Sequence, residues 1–209
     1  MSAFHFRKPV MHRITFIVLF SLYITVFLNI AYYRQALTLI PLTGLHNILF
    51  FLSMPVVVFS VINIVITLAS FVWLDRVTVA LFILVAAPAQ FFIQQYGIAP
   101  DRSMITHILN TTPAEIRAIL TTRMVLVLFF SGGAMAALAF WPCFKKFIPL
   151  WKGPVYRVVN IDASVTLVAL VMILFYKDYA SLFRNNPELV STLSPSNFIV
   201  ASLSYYYHR

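Results

Sequence analysis

Three side chains near the middle of the chain have the types and spacing to bind a charged headgroup. His107, Thr111 and Glu115 recur every four residues, and residues four apart share one side of a helix. An imidazole and a hydroxyl can donate to a phosphate while a carboxylate holds an ammonium, so the set suits a zwitterion such as a phosphoethanolamine headgroup. A purely structural reading competes. Thr112-Pro113-Ala114-Glu115 has the form of a capping box with proline at the first helical position, which leaves Thr111 as a turn residue and His107 as an interfacial side chain. Spacing alone favours capping. Elsewhere the one cysteine, Cys143, excludes an internal disulfide framework, and the five histidines are too scattered for a metal site.

These residues lie in a segment, 97–123, that connects apolar runs. Of the 209 residues, 61% are hydrophobic and 10% charged, too few charges to cover a water-soluble surface. That composition excludes disorder and a free cytosolic enzyme. The net charge of +9 forms no stripe for nucleic acid; its residues flank the apolar runs, where they suit anionic lipid surfaces. Five runs approach the roughly 20 residues that a spanning helix needs: Ile14 to Tyr33, Leu45 to Trp73, Val77 to Tyr96, Met124 to Cys143 and Val158 to Tyr176. None alternates with a period of two, which excludes barrel strands. The first is too long for a signal-peptide core and no small-x-small site follows it, so it reads as a retained helix. The expected fold is an all-α membrane protein with five transmembrane helices and short periplasmic interfacial helices.

Arg7, Lys8, Arg13, Arg76, Lys145, Lys146, Lys152 and Arg157 fall in the short connections on one side, while the other side holds seven basic residues in more than twice the length. This bias places the N-terminus in the cytoplasm and, after five spans, the C-terminus in the periplasm. Pro55 and Pro88 lie inside the second and third runs, where proline can bend a helix. Ser131, Gly132, Gly133, Ala134, Ala136 and Ala137 give the fourth run a face that admits a neighbouring backbone. Across the five runs, Asn29, Asn63, Thr67, Gln90, Gln94 and Gln95 are the in-span polar residues and Asp162 the one in-span charge. That pattern does not suit an ion pump, and Asn63 is expected to hydrogen bond between helices. In the 97–123 loop, Asp101 can cap a short helix with Met104, Ile105, Ile108 and Leu109 on one stripe, and the capping box starts a second. Residues 1–176 thus read as the transmembrane domain and 177–209 as a periplasmic bridging segment, broken at Asn185-Asn186-Pro187 and restarted at Ser194-Pro195-Ser196-Asn197.

Several of these stretches carry a family resemblance. They include Leu45-His46-Asn47, Phe51-Leu52-Ser53-Met54-Pro55, Asp101-Arg102-Ser103-Met104-Ile105, Thr111-Thr112-Pro113-Ala114-Glu115 and Phe175-Tyr176-Lys177-Asp178-Tyr179 through Asn186. The chain resembles, along essentially its whole length, the N-terminal region of bacterial lipid A phosphoethanolamine transferases of the EptA/PmrC type. The resemblance implies a multi-pass inner-membrane enzyme that moves phosphoethanolamine from phosphatidylethanolamine to lipid A and so confers resistance to polymyxin and other cationic peptides. It implies a periplasmic catalytic domain, beyond these residues, that supplies a threonine nucleophile and zinc. No catalytic residue, metal ligand or cofactor is then expected in this chain, which alone should be inactive. The implied partners are phosphatidylethanolamine, lipid A and that catalytic domain, with no nucleic acid. Thr111 and Glu115 match the family's Asn-x3-Thr-x3-Glu headgroup set, and His107 stands at the asparagine position. With the resemblance included, substrate contact by Thr111 and Glu115 becomes the favoured role. The alternative is a non-enzymatic scaffold or small channel, complete in itself.

Overall fold

In the computed structural model, residues 9–70, 74–97, 121–144 and 152–194 are described. They form helices α1 (Arg13–Phe27), α2 (Ile30–Leu39), α3 (Leu45–Ala69), α4 (Asp75–Tyr96), α5 (Thr122–Leu138), α6 (Lys152–Asn185) and α7 (Pro187–Ser191). One departure from an all-helical chain is a two-residue parallel ladder. In it β1 (Val10–Met11) pairs with β2 (Cys143–Phe144), Val10 opposite Cys143 and Met11 opposite Phe144. The pair ties the chain before α1 to the chain leaving α5.

Among the described residues three helices, α3, α4 and α6, are long and apolar enough to cross a membrane, and α1 with α2 makes a fourth candidate bent by 51°. Helix α5, at about 1.5 Å per residue, is somewhat shorter than the roughly 30 Å hydrocarbon layer. It opens into a π-helical turn over Leu128–Ala134. The Tyr23 hydroxyl donates to the Ser131 carbonyl in that turn at 2.7 Å. A Cβ on Gly132 would come within 3.1 Å of the Ala87 Cβ, so α4 and α5 approach as closely as the small-residue face predicts. Asn63 also bonds between helices. It donates to Ser164 Oγ at 2.9 Å and accepts from Ser21 Oγ at 3.4 Å, joining α1, α3 and α6.

The sharp bend is not at a proline. Pro55 and Pro88 sit inside α3 and α4, each assigned as one helix, whereas the first run, expected as one helix, breaks at Leu28–Asn29. The second run stops at Ala69 rather than Trp73. The fifth run is longer than its apolar core, because α6 continues to Asn185 past a non-helical residue at Phe175 (φ −127°, ψ 22°).

At the opposite end of the bundle from this break, Asp75 opens α4 with a fully buried side chain. Its two oxygens accept from Arg13 Nη1 at 2.7 Å and Arg157 Nη2 at 2.6 Å. One carboxylate thereby fastens the starts of α1, α4 and α6, and it sits where a helix N-terminus favours negative charge. Arg13 would be unfavourable in the first turn of α1 without it. The Phe144 ring lies 5.0 Å from the Arg13 guanidinium carbon and 4.7 Å from that of Arg76, a cation–π arrangement, and Arg76 also donates to the Pro142 carbonyl. Replacing Asp75 by Asn should lower the stability of the chain in detergent by about 3 kcal/mol, because a buried charge network loses its central partner. A reversible denaturation series on Asp75→Asn measures this; a loss near zero would mean the triad is not a fastener.

Candidate functional site

Helix directions place one set of chain exits at the end of the bundle away from Asp75. Helix α4 runs from Asp75 to its end at Gly97, which takes the left-handed conformation (φ 67°) and donates its N–H to the Ile93 carbonyl at 2.9 Å. A non-glycine residue would be strained there. Helix α5 begins at Thr121, whose side chain accepts from the Met124 N–H at 3.2 Å, an N-cap bond. His107, Thr111 and Glu115 lie between these anchors, outside the described residues. The structure fixes where their segment starts and stops, at one end of the bundle.

The same end contains the helix break. A broken helix exposes backbone donors and acceptors that apolar surroundings cannot satisfy. Here two buried amides satisfy them. Gln90 on α4, oriented by its surroundings, donates to the Leu28 carbonyl at 3.1 Å. It accepts from the N–H groups of Ile30 at 3.2 Å and Ala31 at 2.8 Å and from Gln94 Nε2 at 2.7 Å. It caps α2 from a neighbouring helix. Asn29, 0% exposed, donates to the Ile24 carbonyl at 3.0 Å. It also pairs with both backbone groups of Ser194, donating to its carbonyl at 3.1 Å and accepting from its N–H at 2.9 Å. Ser194 is itself fully buried, and Leu189 of α7 is buried with it where α7 packs on α2 and α6. The chain from α7 to Ser194 therefore docks on the break.

Aromatic and hydroxyl groups complete the end. The Tyr179 ring packs edge-on against Phe50 at 5.0 Å. Ser53 Oγ donates to the Phe50 carbonyl at 2.6 Å, so the Tyr179 hydroxyl donates to Ser53 Oγ across 2.9 Å. His46 Nε2 lies 3.1 Å from Asp178 Oδ2 on the exposed edge of the same interface. Each of these pairs joins the first turns of α3 to the part of α6 beyond Phe175.

Sequence reasoning noted Asn29 and Gln90 as in-span polar residues without assigning them partners, and missed Asp75 altogether. Among the described residues no three His, Cys, Asp or Glu side chains are grouped to hold a metal ion.

A bundle of apolar helices, broken and capped internally at one end and fastened ionically at the other, defines an integral membrane protein. Its fold matches the integral membrane lipooligosaccharide phosphoethanolamine transferase A from Neisseria meningitidis, with a TM-score of 0.88 and 29% identity over 96% of this chain and 37% of that one. Residues 58–209 match the phosphoethanolamine transferase EptA/EptB family, and the chain belongs to that family. It is 53% identical over 203 residues to phosphoethanolamine transferase EptA of Salmonella typhimurium, covering 97% of this chain and 37% of the relative. To phosphatidylethanolamine transferase Mcr-1 of Escherichia coli it is 26% identical, over 84% of this chain and 32% of that protein. The chain thus spans about a third of the length of these relatives.

Tyr179→Phe should cost about 1 kcal/mol, since it removes one buried hydrogen bond and leaves Ser53 still donating to Phe50. Tyr179→Ala, which also removes the ring from Phe50, should cost about 3 kcal/mol or more. Stability of the two variants in detergent checks the order; equal losses would show that the ring contributes nothing.

Proposed function

We propose that this chain is the membrane part of an inner-membrane enzyme that transfers phosphoethanolamine from phosphatidylethanolamine to lipid A, lowering the negative charge presented to polymyxin and other cationic peptides. The observation that carries the reading is the 53% identity to a phosphoethanolamine transferase over 97% of the chain. In this reading α1 with α2, α3, α4, α5 and α6 provide five spans, with the N-terminus in the cytoplasm and the C-terminus in the periplasm. Alternating helix directions support it: Asp75, Arg13 and Arg157 meet at one end, and Gly97, Thr121 and Ser194 at the other.

The membrane part anchors a catalytic domain and shapes the lipid site at the periplasmic end. His107 and Thr111 donate to the headgroup phosphate, and Glu115 holds the ammonium. Phosphoryl transfer requires an activated nucleophile and concentrated positive charge. We assign both to the periplasmic domain, with its threonine and zinc, and none to residues 1–209. The contribution of this chain is then orientation: holding the donor lipid's phosphate where the nucleophile can reach it in line.

Glu115→Gln keeps much of a capping box's side-chain hydrogen bonding but loses the charge. In the intact enzyme it should reduce transfer from phosphatidylethanolamine about tenfold or more, a loss expected of a charge-assisted contact, at unchanged expression and thermal stability. Thr111→Ala should act in the same direction, and His107→Asn should be tolerated. Lipid A modification followed by mass spectrometry reads all three. Full activity in both Glu115→Gln and Thr111→Ala would leave only the capping role.

A further inference from the structure

Asn29 and Gln90 do more than close a broken helix. Gln90 holds the first N–H groups of α2 from a position on α4 seven residues before Gly97, where the segment carrying His107, Thr111 and Glu115 begins. Asn29 holds both backbone groups of Ser194, just beyond α7. The two amides serve the same break: Gln90 spans it, from the Leu28 carbonyl to the Ile30 and Ala31 N–H groups, and Asn29 stands within it. A continuous chain of hydrogen bonds therefore runs from Gln94 and Gln90 through the ends of α1 and α2 to Asn29 and Ser194. Burial makes this connection stiff. Asn29 and Ser194 are 0% exposed and Gln90 is 4% exposed, so water offers no competing partner and each freed group would be costly.

Amide–backbone pairing also fixes direction. Asn29 presents a donor and an acceptor to the two backbone groups of one residue, as a residue on a neighbouring antiparallel strand would, so Ser194 is held in position and orientation together. Leu189, 0% exposed, seats α7 against the same helix. We infer that Asn29, with Gln90 and the Leu189 contact, is a positioning residue for the transfer reaction: it sets where the chain leaving Ser194 stands relative to the headgroup segment leaving Gly97. This rests on the function proposed above. Its consequence is selective. Chemistry within the catalytic domain does not depend on the latch, whereas reaction with a lipid held by the membrane part does, and small misplacement is enough to slow such a step.

The test compares two substrates in the intact transferase in detergent or nanodiscs: phosphatidylethanolamine with lipid A as acceptor, and a soluble aryl phosphoethanolamine ester that needs only the catalytic domain. For Asn29→Leu, lipid transfer should fall about tenfold to a hundredfold in kcat. Turnover of the soluble ester should stay within about twofold. Asp75→Asn, which loosens the other end of the bundle, should lower thermal stability and leave the ratio of the two activities unchanged. Leu189→Ala acts on the bridging segment without touching the helix break, and decides the matter if Asn29→Leu does not fold; it should lower the same ratio. An unchanged ratio in the folded variants would overturn the inference, as would a parallel fall of both activities with thermal stability. Failure of the unmodified enzyme to transfer phosphoethanolamine to lipid A would instead overturn the function on which the inference rests.

Discussion

A break in a membrane helix is tolerated only if the backbone groups it frees find partners, because hydrocarbon offers none. In this protein that requirement falls on Ile24, Leu28, Ile30 and Ala31, and the amides of Gln90 and Asn29 meet it. Much of the outer architecture follows. Helix α2 can turn away by 51°, α4 is held against it through Gln90, and the chain at Ser194 acquires a fixed seat. A leucine at either position would leave several donors and acceptors buried without partners, each at a cost of about 1–3 kcal/mol.

The two ends of the bundle solve different problems. At Asp75 the solution is charge: one carboxylate neutralises two arginines and joins three helices close to the basic face. At Asn29 it is neutral amides, which can pair with backbone in any apolar setting without the desolvation penalty of an ion. Between them the packing is by small residues and short polar bridges, with Gly132 against Ala87 and Asn63 between α1, α3 and α6. Such interhelical bonds contribute modestly, about 0.6 kcal/mol each on average. The densest polar fastenings therefore lie at the ends, and those at Asn29 stand where the chain leaves α4 at Gly97 and where it leaves α7 at Ser194.

Much of this was legible in the amino-acid sequence, and unevenly so. Hydropathy located every long helix among the described residues because lipid imposes a simple rule on composition, and the small-residue face over 131–137 announced the close approach at Gly132. The Asn63 bridge followed from the scarcity of partners for an amide in apolar surroundings. The 51° break at Asn29 went unread because it depends on Gln90, some sixty residues away, and no local pattern encodes that partnership. Asp75 was overlooked for a similar reason. Beside Arg76 it resembles one more interfacial charge, and only the return of Arg13 and Arg157 makes it a hub. His107, Thr111 and Glu115 were legible through spacing and family resemblance, and they fall outside the described residues.

Amide hydrogen exchange on the chain in lipid nanodiscs tests the central claim most directly, with Gln90→Leu as the perturbation. If Gln90 secures the break on which Ser194 is seated, exchange should accelerate about tenfold or more both at the start of α2 and across residues 187–194. Peptides around Arg13, at the Asp75 end, should keep their protection. Acceleration confined to α2, with residues 187–194 as protected as before, would contradict a coupled latch and reduce Gln90 to a local helix cap.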